Sequence, residues 1–191
     1  LKLIYNDNII LFMINLLHTG KNSKYDISYT IHKCPKSLVK DIYFVLMNEL
    51  EKYYIDKTKY KTIYDFIECN VLIIPTWQEA RVSLLEKKIS TELDRLFVNF
   101  KTWNSYMLKN INTSNYLFNA SCPHTGKCLY GEPSGHTYNE LKGLSTLLKY
   151  DNEKIGCCGM VYHPKFQDRG YPITLFTTLE LDTLIKILTM D

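Results

Sequence analysis

The chain has 191 residues, 46% apolar and 23% charged, with 23 Lys/Arg against 20 Asp/Glu. These proportions exclude a disordered or low-complexity chain and suffice for one globular domain, with or without an extension. A net charge of +3 is too small to mark a nucleic-acid binder by itself, and six cysteines are too sparse for a disulfide scaffold.

In chain order, Leu3–Leu17 reads as a helix or a buried strand pair, ended by Gly20 and the polar run after it. No apolar run reaches the roughly 20 residues that cross a bilayer. The apolar start also lacks the small-residue cleavage site of a signal peptide. An intracellular location, cytoplasmic or nuclear, is expected, with secretion as the alternative. After Pro35, the spacing of Leu38, Ile42, Val45, Leu46 and Leu50 predicts an amphipathic helix. A shorter helix follows over Thr58–Glu68, then a buried apolar run, Asn70–Ile74, closed by Pro75. From Trp77 to Lys109, the spacing of Val82, Leu85, Ile89, Leu93, Leu96 and Phe100 predicts one long helix, with a break near Phe100–Trp103.

From Asn115 the texture changes. Tyr116–Ala120 and Cys128–Tyr130 read as extended, and Pro133-Ser134-Gly135 marks a turn. His136–Lys142 alternates as a strand would, and Leu144–Tyr150 fits a short helix. Ile155–Tyr162 is apolar on both faces, as in a central strand. Pro172–Phe176 is a further strand, and Leu179–Leu188 a closing helix. The expected fold is α+β. A helical N-terminal half, residues 1–76, packs on a C-terminal α/β unit with a small mixed sheet, residues 77–191.

The candidate chemistry lies in Gly131–Gly143. On a strand, Glu140 and Lys142 face the same side, and a hairpin would return Glu132 toward Glu140. Two converging carboxylates make an oxygen-rich site suited to Mg²⁺, which lowers the pKa of bound water and neutralises a phosphate. His136, in the same turn, is a candidate base or ligand.

An acidic residue, a short gap and then Glu-x-Lys, followed by a helix, a buried strand and a strand–helix end, resembles the PD-(D/E)XK nuclease superfamily. The resemblance covers about residues 80–191, with the restriction-endonuclease-like core as the fold it implies. Glu132 stands where that pattern has Asp, and Pro133 follows it rather than preceding it. The resemblance implies that Glu132 and Glu140 bind Mg²⁺, that Lys142 contacts the attacking water, and that Glu86 or Glu92 joins the metal from the preceding helix. The implied activity is phosphodiester hydrolysis, with DNA favoured over RNA.

Residues 111–191 hold 7 Lys/Arg against 8 Asp/Glu, leaving 16 against 12 for residues 1–110. On the long helix, Arg81, Lys87, Lys88 and Arg95 are candidate phosphate contacts. Cys122, His124, Cys128, Cys157, Cys158 and His163 lack the usual zinc-pair spacing, so a structural Zn²⁺ is not expected. Asn112-Thr-Ser114 and Asn119-Ala-Ser121 match glycosylation sequons. Two other functions fit the sequence. One is a non-enzymatic interaction module of the kind viruses carry, recruiting a protein partner or a second copy through the helical half. The other is a secreted disulfide-containing effector.

Overall fold

The last strand in sequence is the second-to-last in space. In the computed structural model, which describes residues 13–54, 59–155 and 158–190, β7 (Gly170–Thr177) lies between β3 (Leu72–Glu79) and the short edge strand β4 (Phe118–Ala120). Beyond β3 come β2 (Ile27–Lys33) and the opposite edge, β1 (Leu16–Asn22), giving the order β1-β2-β3-β7-β4. Every neighbouring pair in this sheet is antiparallel. The fold is therefore mixed α+β, with a five-stranded antiparallel sheet and five helices among the described residues.

β3 and β7 pair over their full lengths, Leu72 with Thr177 through Glu79 with Gly170. Alternation then splits their side chains between two cores. Ile73, Trp77 and Phe176 enter one core with α1 (Val39–Tyr53), α2 (Ile63–Asn70) and α4 (Glu140–Leu148). Ile74, Ile173 and Leu175 enter the other with α3 (Ser90–Lys109) and α5 (Leu181–Thr189). Trp103 and Phe100 of α3 are fully buried, and burial of each such side chain contributes about 1.5–3 kcal/mol.

The helix expected after Pro35 is α1, and the expected closing helix is α5. The second expected helix begins later than the pattern suggests, at a Thr62–Asp65 capping box. Most of Leu3–Leu17 lies outside the described residues; its end opens β1.

Other expectations need correction. The N-terminal half is not helical throughout: β1, β2 and β3 belong to it, and residue 76 falls inside β3. The sheet is antiparallel, not mixed. The run 77–109 is not one helix. Trp77–Glu79 ends β3, residues 80–89 form a loop, and α3 starts at Ser90 and runs unbroken to Lys109. Backbone bonds from Ala80 N–H to the Arg169 carbonyl (2.8 Å) and from Leu84 N–H to the Asp168 carbonyl (3.0 Å) hold that loop. Leu85, expected on the buried face of that helix, is 48% exposed.

His136–Lys142 is not a strand either: Asn139 caps α4, its side chain accepting from the Lys142 N–H at 2.9 Å. Cys128–Tyr130 contributes only a single bridge, Cys128 to Ser121, rather than a strand. Ile155–Tyr162, of which residues 156 and 157 lie outside the described residues, is not central: β5 (Asn152–Ile155) and β6 (Cys158–Val161) form a separate two-stranded antiparallel sheet. Among the described residues no helix is long and apolar enough to cross a membrane.

Candidate nucleic-acid interface

The expected Glu132–Lys142 constellation is dispersed. Because Glu140 and Lys142 sit in the first turn of a helix, two residues apart, they diverge by about 160° instead of sharing a face. Glu140 turns inward to the β4–β7 seam. Its Oε2 accepts from Ser121 Oγ at 2.8 Å and its Oε1 accepts a short hydrogen bond from Thr174 Oγ1. Burial of the carboxyl raises its pKa, and the two hydroxyl donors oppose that rise. Lys142 points outward to Asp41 of α1, with Nζ–Oδ2 at 2.6 Å. Glu132 is exposed, on a loop tethered by Asn48 Nδ2 to the Glu132 and Pro133 carbonyls at 3.3 and 3.2 Å. His136 lies against Phe44, ring centroids 5.0 Å apart.

The remaining expected ligands are elsewhere. Glu86 is exposed in the 80–89 loop with Arg81, Lys87 and Lys88. Glu92 takes Arg95 in a two-pronged ion pair at 2.8 and 2.6 Å and also accepts the Arg81 N–H at 2.7 Å. The Arg95 hydrogen bonds hold the Glu92 carboxyl down at about 2. Glu92 and Glu140 thus bond to partners within the fold. Among the described residues no three His, Cys, Asp or Glu side chains are grouped to hold a metal ion.

The cysteine and sequon positions resolve similarly. Cys34, Cys69, Cys122 and Cys128 are free thiols. Cys128 donates to the Val45 carbonyl at 3.3 Å, and burial pushes its thiol up to about 12. His163 packs among Trp77, Tyr150 and Phe166. Asn119 is 2% exposed, its amide bonded to the Tyr130 carbonyl, so a glycan on that nitrogen is incompatible with this fold.

A different surface leaves its charges to solvent. With Leu96, Phe100, Trp103 and Met107 of α3 in the core, the 3.6-residue repeat brings Val98, Thr102, Ser105 and Lys109 to the outer face. The turn after β1 carries Tyr25 to the same face. Asn99 fixes it there, donating to the Tyr25 carbonyl at 2.8 Å and to Gln78 Oε1 at 2.7 Å. Tyr25, Val98, Thr102 and Ser105, with Lys101, Tyr106 and Lys109, line an open groove of about 570 Å³. No carboxylate is among these lining residues.

The groove is basic and aromatic at once. Lys24 Nζ stands 5.6 Å from the Tyr25 ring centroid and 5.4 Å from that of Tyr106, so one ammonium serves two ring faces. Lys101 stands 4.8 Å over Phe97, and Val98 exposes 56% of its surface inside the groove. The nearest acids in the chain do not intrude. Asp26 is ion-paired with Lys21, and Asp94 lies one turn before Val98 and outside the lining. Ammonium groups bind phosphate, and half-buried tyrosine faces stack on bases.

Arg81, Lys87 and Lys88, in the 80–89 loop, and Arg95, on α3, are not in this groove; Lys101 and Lys109, later on α3, are. The signal for them was their place on the polar side of an amphipathic stretch. Tyr25 had no such signal, because only the β1–β2 pairing brings it near α3. The sequence matches no protein-family model and no curated protein.

Proposed function

We propose that this protein binds single-stranded nucleic acid along the outer face of α3. The observation that carries the reading is the groove itself, lined by Lys101 and Lys109 together with Tyr25 and Tyr106, with Lys24 standing over both rings and no carboxylate among the lining residues. The lysines engage the sugar-phosphate backbone, releasing counterions, while Tyr25 and Tyr106 take unstacked bases. A duplex hides its base faces and uses only the lysines, so single strands are the preferred ligand. Neither interaction reads sequence.

Fluorescence anisotropy with a labelled 12-mer, as DNA and as RNA, against a blunt duplex tests this. Single strands bind more tightly than the duplex, and Lys101→Glu with Lys109→Glu removes binding without lowering the melting temperature. Equal binding by wild type and double variant overturns the reading. The same reactions incubated with Mg²⁺ report strand scission, the activity the Glu-x-Lys resemblance implies. None is expected, because Glu140 and Lys142 each hold a partner within the fold.

A further inference from the structure

On the flank of α3 beside the groove lies a second cleft, of about 360 Å³, between α1, the end of α3 and β4. Leu108 lines it, and Leu108 follows around the helix about 100° from Lys109 of the groove, roughly 10 Å of arc at the side-chain surface. A strand bound in the groove has only a short reach to enter it. Leu108, Leu117 and Phe118 supply apolar walls, and Glu49, Lys52 and Tyr130 supply polar groups.

The polar groups have a defined pattern. Asn104, 0% exposed, donates from Nδ2 to the Tyr130 hydroxyl oxygen at 2.6 Å. The Tyr130 oxygen is therefore occupied as acceptor, which leaves its O–H unspent, and Tyr130 is among the residues that line the cleft. Asn104 Oδ1 has no partner in the protein. The unfilled hydrogen bond of this buried pair is therefore at Oδ1, and the Tyr130 proton is not spent on Asn104. Glu49 lies against Gly131, where the left-handed φ of 73° and the adjacent carboxylate leave no room for a side chain. Its side chain is 15% exposed, and Lys52 Nζ donates to both its oxygens at 3.0 Å.

We infer that this cleft receives one base of the bound strand and selects a keto base, uracil or thymine, over cytosine. The inference rests on the groove reading. Tyr130 and the third ammonium proton of Lys52 are the donors, and the Glu49 lone pairs that Lys52 does not use are the acceptor. Together they complement a ring N–H flanked by carbonyls, whereas cytosine presents an acceptor and an amino group along that edge. The flat apolar walls accept either pyrimidine, so selection comes from the hydrogen bonds.

Two measurements test this on the full chain. In anisotropy titrations oligo-U binds about tenfold more tightly than oligo-C, the scale of one well-made base contact. Glu49→Gln and Tyr130→Phe each bring the two ligands to within about twofold. Photo-crosslinking with 5-iodouracil oligomers, mapped by mass spectrometry, labels Tyr130 or Tyr53 in addition to Tyr25 or Tyr106. Crosslinks confined to Tyr25 and Tyr106, with equal affinity for U and C, overturn the base pocket and leave the groove standing. Absence of both binding and crosslinks overturns the two together. Tyr130→Phe strands the Asn104 amide; should it fail to fold, Glu49→Gln carries the test.

Discussion

The two ends of one surface-chemistry scale are the first turn of α4 and the outer face of α3. At α4 every charged group of interest has a partner inside the fold: Glu140 has Ser121 and Thr174, and Lys142 has Asp41. At α3 Lys101 and Lys109 line an open groove with Tyr25 and Tyr106, Lys24 stands over both tyrosine rings, and no acid is among the lining residues. The charged residues of the most suggestive motif therefore hold the structure together. Those with no motif to mark them are the ones left available to a ligand.

The comparison breaks first if the α4 clamp is dispensable. Ser121→Ala together with Thr174→Val removes both hydroxyl donors from the Glu140 carboxyl and leaves it only the Thr174 backbone N–H, and stability falls by about 3 kcal/mol in urea unfolding. Affinity for a single-stranded 12-mer, measured on the folded fraction, does not change. Loss of binding with intact stability would reverse the roles assigned to the two regions.

Next in size are the stacking faces. Tyr25→Ala and Tyr106→Ala each weaken binding by about 1–3 kcal/mol, tenfold or more in Kd by anisotropy, as expected for one base stacked on one ring. Stability is nearly unchanged, because both rings are only half-buried.

The pH dependence sharpens the α4 side. Burial raises the Glu140 pKa above its unfolded value, so the folded state holds the proton more tightly than the unfolded chain does. The contribution from this group is then fully present below the unfolded carboxylate range near pH 4 and is lost as pH rises through the raised value. Glu140→Gln removes that dependence. Relative to wild type the variant is more stable at pH 7, and the gap closes toward pH 4; a gap that widens instead contradicts the burial argument. The smallest effect belongs to Lys142→Ala. Its pair with Asp41 has side chains 50% and 30% exposed, so stability drops by about 0.5 kcal/mol or less and the effect fades with added salt.

Elements with a single clear period were legible in the sequence. α1 and α5 follow from apolar residues three and four apart, and β7 from a short apolar run after Tyr171-Pro172. Where two periods competed, the reading failed. Tyr138, Glu140 and Lys142 alternate like a strand, yet Asn139 is a cap and Gly143, Leu144, Leu147 and Leu148 are buried at helical spacing. Val82 and Leu85 continue the α3 spacing upstream, but backbone bonds from Ala80 and Leu84 to the Asp168–Arg169 segment claim those residues for a loop. The groove was half legible. Its lysines are on a helix whose apolar spacing is plain in the sequence. Tyr25 lies 74 residues before Asn99, which holds it, and arrives through sheet pairing that no local pattern encodes.

Salt dependence tests the central claim most directly. The groove account predicts that log K for a single-stranded 12-mer falls linearly with log salt. The slope becomes shallower by about 0.7 for each phosphate that Lys101→Ala or Lys109→Ala no longer neutralises, with melting temperatures unchanged. A slope identical in wild type and both variants would contradict it.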